Sequence, residues 1–220
     1  MGSDEAGEVS HGESAICRVI EMESSGSNVA TESDVMQQKK LLRKRILQTR
    51  DAIGRQERER AQVLLTERIL GHQWFYMSDV VLGFACYGSE INIDEILQEA
   101  LRKGKKLYLP KVEGEEMFFY RVDDLSKLSV GYKGIMEPEG DTERYVYAPT
   151  EHRRELMLMP GVAFDPFRNR MGYGKGFYDC FLSDKPQLQL CTIAVGFACQ
   201  MVEQVPCGER DIRPYQVICV

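Results

Sequence analysis

No apolar stretch in this 220-residue chain approaches the ~20 residues that a membrane-crossing helix needs, which argues against a membrane-spanning role. An apolar signal region is missing, and so is the Arg-rich, acid-poor composition of an organelle transit peptide. Histidine is scarce: His11, His72 and His152 are scattered along the chain, an arrangement that suits surface roles better than metal binding. The cysteines Cys17, Cys86, Cys180, Cys191, Cys199, Cys207 and Cys219 are odd in number and include no C-x-x-C pair. They therefore suggest neither a zinc site nor a disulfide framework, and a reducing, cytoplasmic setting is expected. There is no internal repeat, no G-x-G-x-x-G dinucleotide fingerprint and no P-loop.

A hydrophobic fraction of 43% is ordinary for a soluble globular protein, and the length allows one sizeable core plus a tail. Charge is uneven. The first 36 residues hold Asp4, Glu5, Glu8, Glu13, Glu21, Glu23, Glu32 and Asp34 against Arg18 alone, leaving −7 there and +1 in the rest of a chain totalling −6. Rich in Gly, Ser and Glu, residues 1–35 lack the apolar surface to offset their ordering entropy and are expected to be disordered. The remainder is nearly neutral and carries no nucleic-acid motif, so a nucleic-acid partner is not expected.

From Gln37 the pattern alternates between helical and strand periods. Gln37 to Arg50 reads as a basic helix with Leu42, Ile46 and Ile53 on its apolar side; Ala61, Leu64, Leu65 and Ile69 repeat at helical spacing in a second. Val80 to Ala85 reads as a buried strand, followed by a helix capped by Asn92 with Glu95 three residues on, and with Ile93, Ile96, Leu97, Ala100 and Leu101 facing the core. Further strands are expected at Lys106–Pro110, Met117–Arg121, Leu156–Met159, Thr192–Phe197 and Gln216–Val220, with a Gly- and Pro-rich loop over Gly131–Gly140. Strands separated by helices predict a three-layer, Rossmann-like α/β domain with a mostly parallel sheet flanked by helices.

The densest chemistry follows Leu156–Met159. Met159-Pro-Gly-Val-Ala-Phe-Asp165 and Arg170-Met-Gly-Tyr-Gly-Lys-Gly-Phe-Tyr-Asp179 bring three closely spaced glycines, Gly172, Gly174 and Gly176, with two cations and two carboxylates to the end of an apolar strand, where open α/β sheets bind ligands. Without side chains at Gly172, Gly174 and Gly176, backbone N–H groups can converge on an oxyanion. A helix starting at Phe177 adds its free N–H groups, and Lys175 and Arg170 add full charges. Asp179, one turn in, suits a magnesium ion beside phosphates. A bare G-x-G-x-G is more often a surface turn, and Cys180, with no neighbouring histidine, reads as a small packing residue. Lys39 and Arg43 share a helix face, which fits either a solvated basic surface or a triphosphate contact; Glu90, after the first buried strand, reads by itself as a loop acid.

These motifs, with the Lys/Arg-rich first helix, resemble the 5-formyltetrahydrofolate cyclo-ligase (methenyltetrahydrofolate synthetase) family from about Met36 to the C-terminus. The resemblance implies a single catalytic domain over residues 36–220, acting as a monomer, and points to Met36 as the physiological start. Loss of activity on deleting the first 35 residues would refute that start. It implies ATP as co-substrate, held by Lys39, Lys40 and Arg43 and by the loop Arg170, Met171, Gly172, Tyr173, Gly174, Lys175, Gly176, Phe177 and Tyr178. Lys175 and Arg170 take the catalytic roles, while Glu90, Tyr173, Lys175 and Phe177 contact 5-formyltetrahydrofolate. Magnesium falls to Asp179 and Asp211. The chain departs from the family pattern at Lys133, beside Tyr132, where an aromatic is usual, and at Tyr215, where an acid often follows the late Asp. A non-catalytic nucleotide- or folate-binding relative, and a sugar-phosphate isomerase or CoA transferase on a similar sheet, are the alternatives; dependence on ATP separates them.

Overall fold

The structure, a computed structural model, describes residues 32–149 and 154–220. Most of the segment expected to be disordered, residues 1–31, lies outside the described residues, as do His11, Cys17 and His152. The helices are α1 (Glu32–Asp51), α2 (Arg55–Leu70), α3 (Gln73–Met77), α4 (Asp94–Arg102), α5 (Phe177–Leu182) and α6 (Pro186–Gln189). The strands are β1 (Val80–Leu82), β2 (Lys106–Glu113), β3 (Glu116–Val122), β4 (Ser129–Val130), β5 (Met136–Glu137), β6 (Glu155–Met159), β7 (Ala163–Phe164), β8 (Arg170–Met171), β9 (Thr192–Gly196) and β10 (Gln216–Cys219).

Six strands form one sheet in the order β10-β9-β6-β1-β2-β3, parallel throughout except for the β2–β3 hairpin. Alternation along each strand feeds two cores. Val81, Leu156, Leu158, Ile193 and Val195 meet α2 and α4 through Leu65, Ile69, Ile96 and Leu97. Val80, Leu82, Met157, Met159 and Ala194 point the other way, to Leu182 of α5 and Leu188 of α6. Both faces being covered, the central strands β1, β6 and β9 carry unbroken apolar runs at residues 80–82, 156–159 and 193–195, as expected for a parallel sheet between helices. Truncating a fully buried residue such as Leu158 to Ala would cost about 2–5 kcal/mol. A third cluster, Ile46 with Val162, Ala163, Met171 and Val205, flanked by Leu42 and Leu47, seats α1 on the β7–β8 hairpin. The apolar stripe of the first helix thus lands on the segment that leads into the glycine loop.

Local expectations were revised in three places. Asn92 does not cap α4: Ile93 is the N-cap, and Asn92 Oδ1 accepts the Asp94 N–H at 2.6 Å. This Asx turn stops one residue short of the helix, and Glu95 pairs with Arg102 at 3.7 Å instead. Leu64 is 41% exposed because α2 turns only Ala61, Leu65 and Ile69 fully inward. Cys180 is exposed rather than packed. His72 has a structural role: Nδ1 accepts the Trp74 N–H, which leaves Nε2 to donate to Gln216 Oε1 at 3.1 Å.

Strand order reverses at β1, which has its sequence successor β2 on one side and β6 on the other. The loops leaving β1 and β6 diverge there and open a crevice.

Candidate active site

The crevice is a single cavity with four walls. Phe84, Ala85, Tyr87 and Glu90 come from the loop after β1, and Pro110, Val112 and Met117 from the β2–β3 hairpin. Tyr132, Lys133, Ile135 and Glu137 come from the Gly- and Pro-rich loop, while Pro160, Arg170, Gly172, Tyr173 and Lys175 to Asp179 follow β6. Apolar and aromatic side chains from all four walls line it together with the glycine loop.

That loop needs glycine for two different reasons. Gly174 (φ 103°) and Gly176 (φ 69°) adopt backbone conformations that L side chains rarely reach, whereas a Cβ on Gly172 would lie 3.2 Å from Arg170 Nη1. Arg43 of α1 holds the turn: its Nε donates to the Gly172 carbonyl at 3.0 Å, and its guanidinium packs against Gly174. Burial pulls the Arg43 pKa below its ordinary value, yet an arginine starts high enough to remain charged. With six residues in α5, charge beside this loop comes more from lysine and arginine side chains than from a long helix dipole.

The cations divide into those already engaged and those exposed. Arg170, expected to grip the nucleotide, has a side chain only 3% exposed. Its Nη2 donates to both Asp179 oxygens at 3.1 and 3.2 Å and its Nη1 to the Pro160 carbonyl at 3.3 Å; Nε has no partner. Without Asp179 this buried charge would be uncompensated, so Arg170 braces the loop. Lys39 pairs with Asp211, which also accepts the Gly208 N–H. Asp179 Oδ1 accepts the Ile212 N–H at 3.1 Å, bringing the segment that carries Asp211 to α5. Lys175 lies exposed on the cavity wall with no ion pair among the described residues, and Lys40 is exposed too. Met171 packs into the third hydrophobic cluster. Of the expected contacts, Glu90, Arg170, Gly172, Tyr173, Lys175, Gly176, Phe177, Tyr178 and Asp179 therefore share one cavity, whereas Lys39, Lys40, Arg43, Met171, Gly174 and Asp211 do not line it.

On the cavity wall Glu90 is 9% exposed and its Oε2 accepts the Tyr87 N–H at 2.7 Å. Burial pushes its pKa up, against the opposing pull of that N–H, of the Tyr173 hydroxyl and of the Arg50 charge. The Tyr173 ring meets Tyr87 edge-on at 5.5 Å, and Phe177 meets Tyr132 at 5.9 Å. Burial also raises the hydroxyl pKa values of Tyr173 and Tyr178, keeping both neutral.

Sequence reasoning passed over two charged groups. Glu137 is 4% exposed on the cavity wall, and the loop closes so tightly on it that a Cβ at Gly131 would fall 2.1 Å from its Oε2. Arg50 lies behind Glu90 and Tyr173. Its position at i+8 from Leu42 and i+4 from Ile46, on the apolar stripe of α1, was the available signal.

A glycine loop and a buried carboxylate among aromatic rings share one crevice at the reversal point of a mostly parallel sheet, the place where α/β proteins bind small ligands. Residues 35–220 match the 5-formyltetrahydrofolate cyclo-ligase family, and the chain belongs to it; it is a ligase. A Caenorhabditis elegans protein named "Probable 5-formyltetrahydrofolate cyclo-ligase" is 31% identical over 175 residues, covering 76% of this chain and 84% of its own. The Mus musculus 5-formyltetrahydrofolate cyclo-ligase is 27% identical over 189 residues, 82% and 92% of the two chains. The solved 5,10-methenyltetrahydrofolate synthetase of Aquifex aeolicus superposes with a TM-score of 0.69 at 33% identity, covering 80% of this chain and 86% of its own.

Proposed function

We propose that residues 36–220 convert 5-formyltetrahydrofolate to 5,10-methenyltetrahydrofolate with ATP and magnesium, releasing ADP and phosphate. The observation that carries this reading is the shared cavity, which Lys175 and the glycine loop line together with Glu90 and its aromatic neighbours. The formyl oxygen belongs to an amide-like group and leaves poorly. It attacks the γ-phosphorus of ATP and ADP departs; N10 of the folate then attacks the formyl carbon, and phosphate leaves as the ring closes. No protein nucleophile is needed, because the work is alignment and charge compensation.

In this scheme the loop amides and Lys175 balance charge on the moving phosphoryl group. Arg170, Arg43 and the Lys39–Asp211 pair hold the loop and its flank in shape. Glu90 accepts hydrogen bonds from the pterin amino and ring N–H groups, with Tyr173 and Phe177 as walls. Among the described residues no three His, Cys, Asp or Glu side chains converge as a metal site. Asp179 and Asp211, the carboxylates expected to hold magnesium, already accept from Arg170 and the Ile212 N–H and from Lys39 and the Gly208 N–H, so the ion would be carried mainly by phosphate oxygens, with an aspartate joining as its cation partner lets go. Bound there, the ion supplies further neutralisation of phosphate charge. The acting unit is read as one chain. The free thiols at Cys86, Cys180, Cys191, Cys199, Cys207 and Cys219 favour a reducing cytosol.

The test follows near-ultraviolet absorbance of the methenyl product with and without ATP and magnesium; no nucleotide-dependent rise rejects the proposal. Lys175→Ala is expected to lower turnover about 10²–10³-fold, as for loss of a transition-state donor, with the KM for ATP changed far less. Unchanged turnover removes Lys175 from the chemistry.

A further inference from the structure

Arg50 is 2% exposed, yet it makes no ion pair with a carboxylate among the described residues. Its Nε donates to Ser89 Oγ at 2.9 Å and its Nη2 to the Tyr173 hydroxyl at 2.7 Å, while Nη1 is buried with no partner. Its own carbonyl accepts from Arg58, and Ser89 donates onward to Asp51, so both backbone and side chain are fixed in place. A desolvated guanidinium with a donor to spare is costly unless a negative group lies near. Two carboxylates lie near: Asp51, reached through the Ser89 hydroxyl, and Glu90, the residue after Ser89 on the cavity wall.

The hydroxyl of Tyr173 has one hydrogen and two lone pairs. Arg50 occupies a lone pair, which leaves the hydrogen free for another acceptor. Arg50 therefore ties Ser89, the residue before Glu90, to Tyr173 of the glycine loop, a relay from α1 to two sides of the pocket wall.

We propose that Arg50 is a positioning residue for the folate: acting through Ser89 and Tyr173, it fixes the wall that carries Glu90, so that the carboxylate is held where it accepts the pterin N–H groups. Its positive charge offsets the cost of holding a carboxylate out of water. This inference rests on the assignment of Glu90 under the proposed function.

The test is a double-mutant cycle on the full chain with Arg50→Met, Glu90→Gln and the pair, measuring Kd for 5-formyltetrahydrofolate and, in parallel, for ATP. Arg50→Met is expected to weaken folate binding by ~10-fold or more, the scale of a hydrogen bond to a charged group, and to change ATP binding much less. In the Glu90→Gln background it should add less than about 2-fold, since partners in one network are non-additive. Folate affinity unmoved by Arg50→Met, full additivity, or equal losses for both ligands would overturn the inference. If Glu90→Gln alone leaves folate binding unchanged, the assignment of Glu90 fails and the inference falls with it. Should Arg50→Met not fold, Tyr173→Phe removes the relay hydroxyl but keeps the ring, and the same outcomes apply.

Discussion

Asp165 and Glu90 are both carboxylates removed from water, at 1% and 9% exposure, and their surroundings push them in opposite directions. Burial pushes Asp165 up, but the N–H of Val205, the side-chain amide and N–H of Asn169 and the N–H of Phe167 together outweigh it and bring the pKa down. Those donors stand 2.7–2.9 Å from its two oxygens. For Glu90 burial prevails over one N–H, the Tyr173 hydroxyl and the Arg50 charge. A carboxylate enclosed by protein donors ties a loop together. One left short of donors on a cavity wall has acceptor capacity for a ligand's N–H groups.

The sharpest way to break this contrast is Asp165→Ala, which strands three backbone N–H groups and an amide in a dry site. It is expected to cost about 3–5 kcal/mol in folding free energy, measured by equilibrium urea unfolding. A loss below about 1 kcal/mol would mean that water replaces the carboxylate, and Asp165 would no longer stand for a structural acid.

The glycine loop was legible because its function demands backbone without side chains, and the sheet because each buried strand carries an unbroken apolar run. What stayed hidden depends on pairings that only the tertiary fold creates. Lys39 meets Asp211 across 172 positions, and Arg43, read as a phosphate contact, spends its Nε on a carbonyl 129 positions away. Arg170 and Asp179 were both singled out, but their mutual pairing depends on how the loop returns to α5. Glu137 lay unseen in a loop whose Gly and Pro content signals only a turn, and Arg50 looked like one more cation on a basic helix. Polarity pattern locates elements; it does not say which charges neutralise each other.

A smaller effect, opposite in kind, is expected for Glu90→Gln. The amide keeps the shape and removes a charge held at a desolvation cost, so folding stability should stay within about 1 kcal/mol of wild type or rise. Affinity for 5-formyltetrahydrofolate should fall about 10–100-fold. Calorimetric binding and urea unfolding on the same samples check both. A large stability loss without a binding loss would place Glu90 with Asp165 as a structural acid.

The finest discrimination is in pH dependence, because the two groups contribute with opposite sign. Asp165 has a depressed folded-state pKa, so its stabilisation is complete above the unfolded carboxylate range and is lost as pH falls through the folded value. Glu90 has a raised one: between the unfolded and folded values the native state holds the extra proton, and stability declines as pH rises through that window. The stability of Glu90→Gln relative to wild type should therefore improve from the unfolded carboxylate range, near pH 4.5, toward neutrality. Asp165→Asn should instead lose ground to wild type as pH rises from below the folded value of Asp165 to above the unfolded range, and hold a constant deficit beyond. Urea midpoints across that span for the three proteins give both slopes. If the two variants follow parallel curves, donor supply is not what separates the two acids. If the curves diverge as described, the ionised carboxylate of Glu90 is destabilising in the empty pocket, and the N–H donors of a bound pterin are the groups that would relieve it.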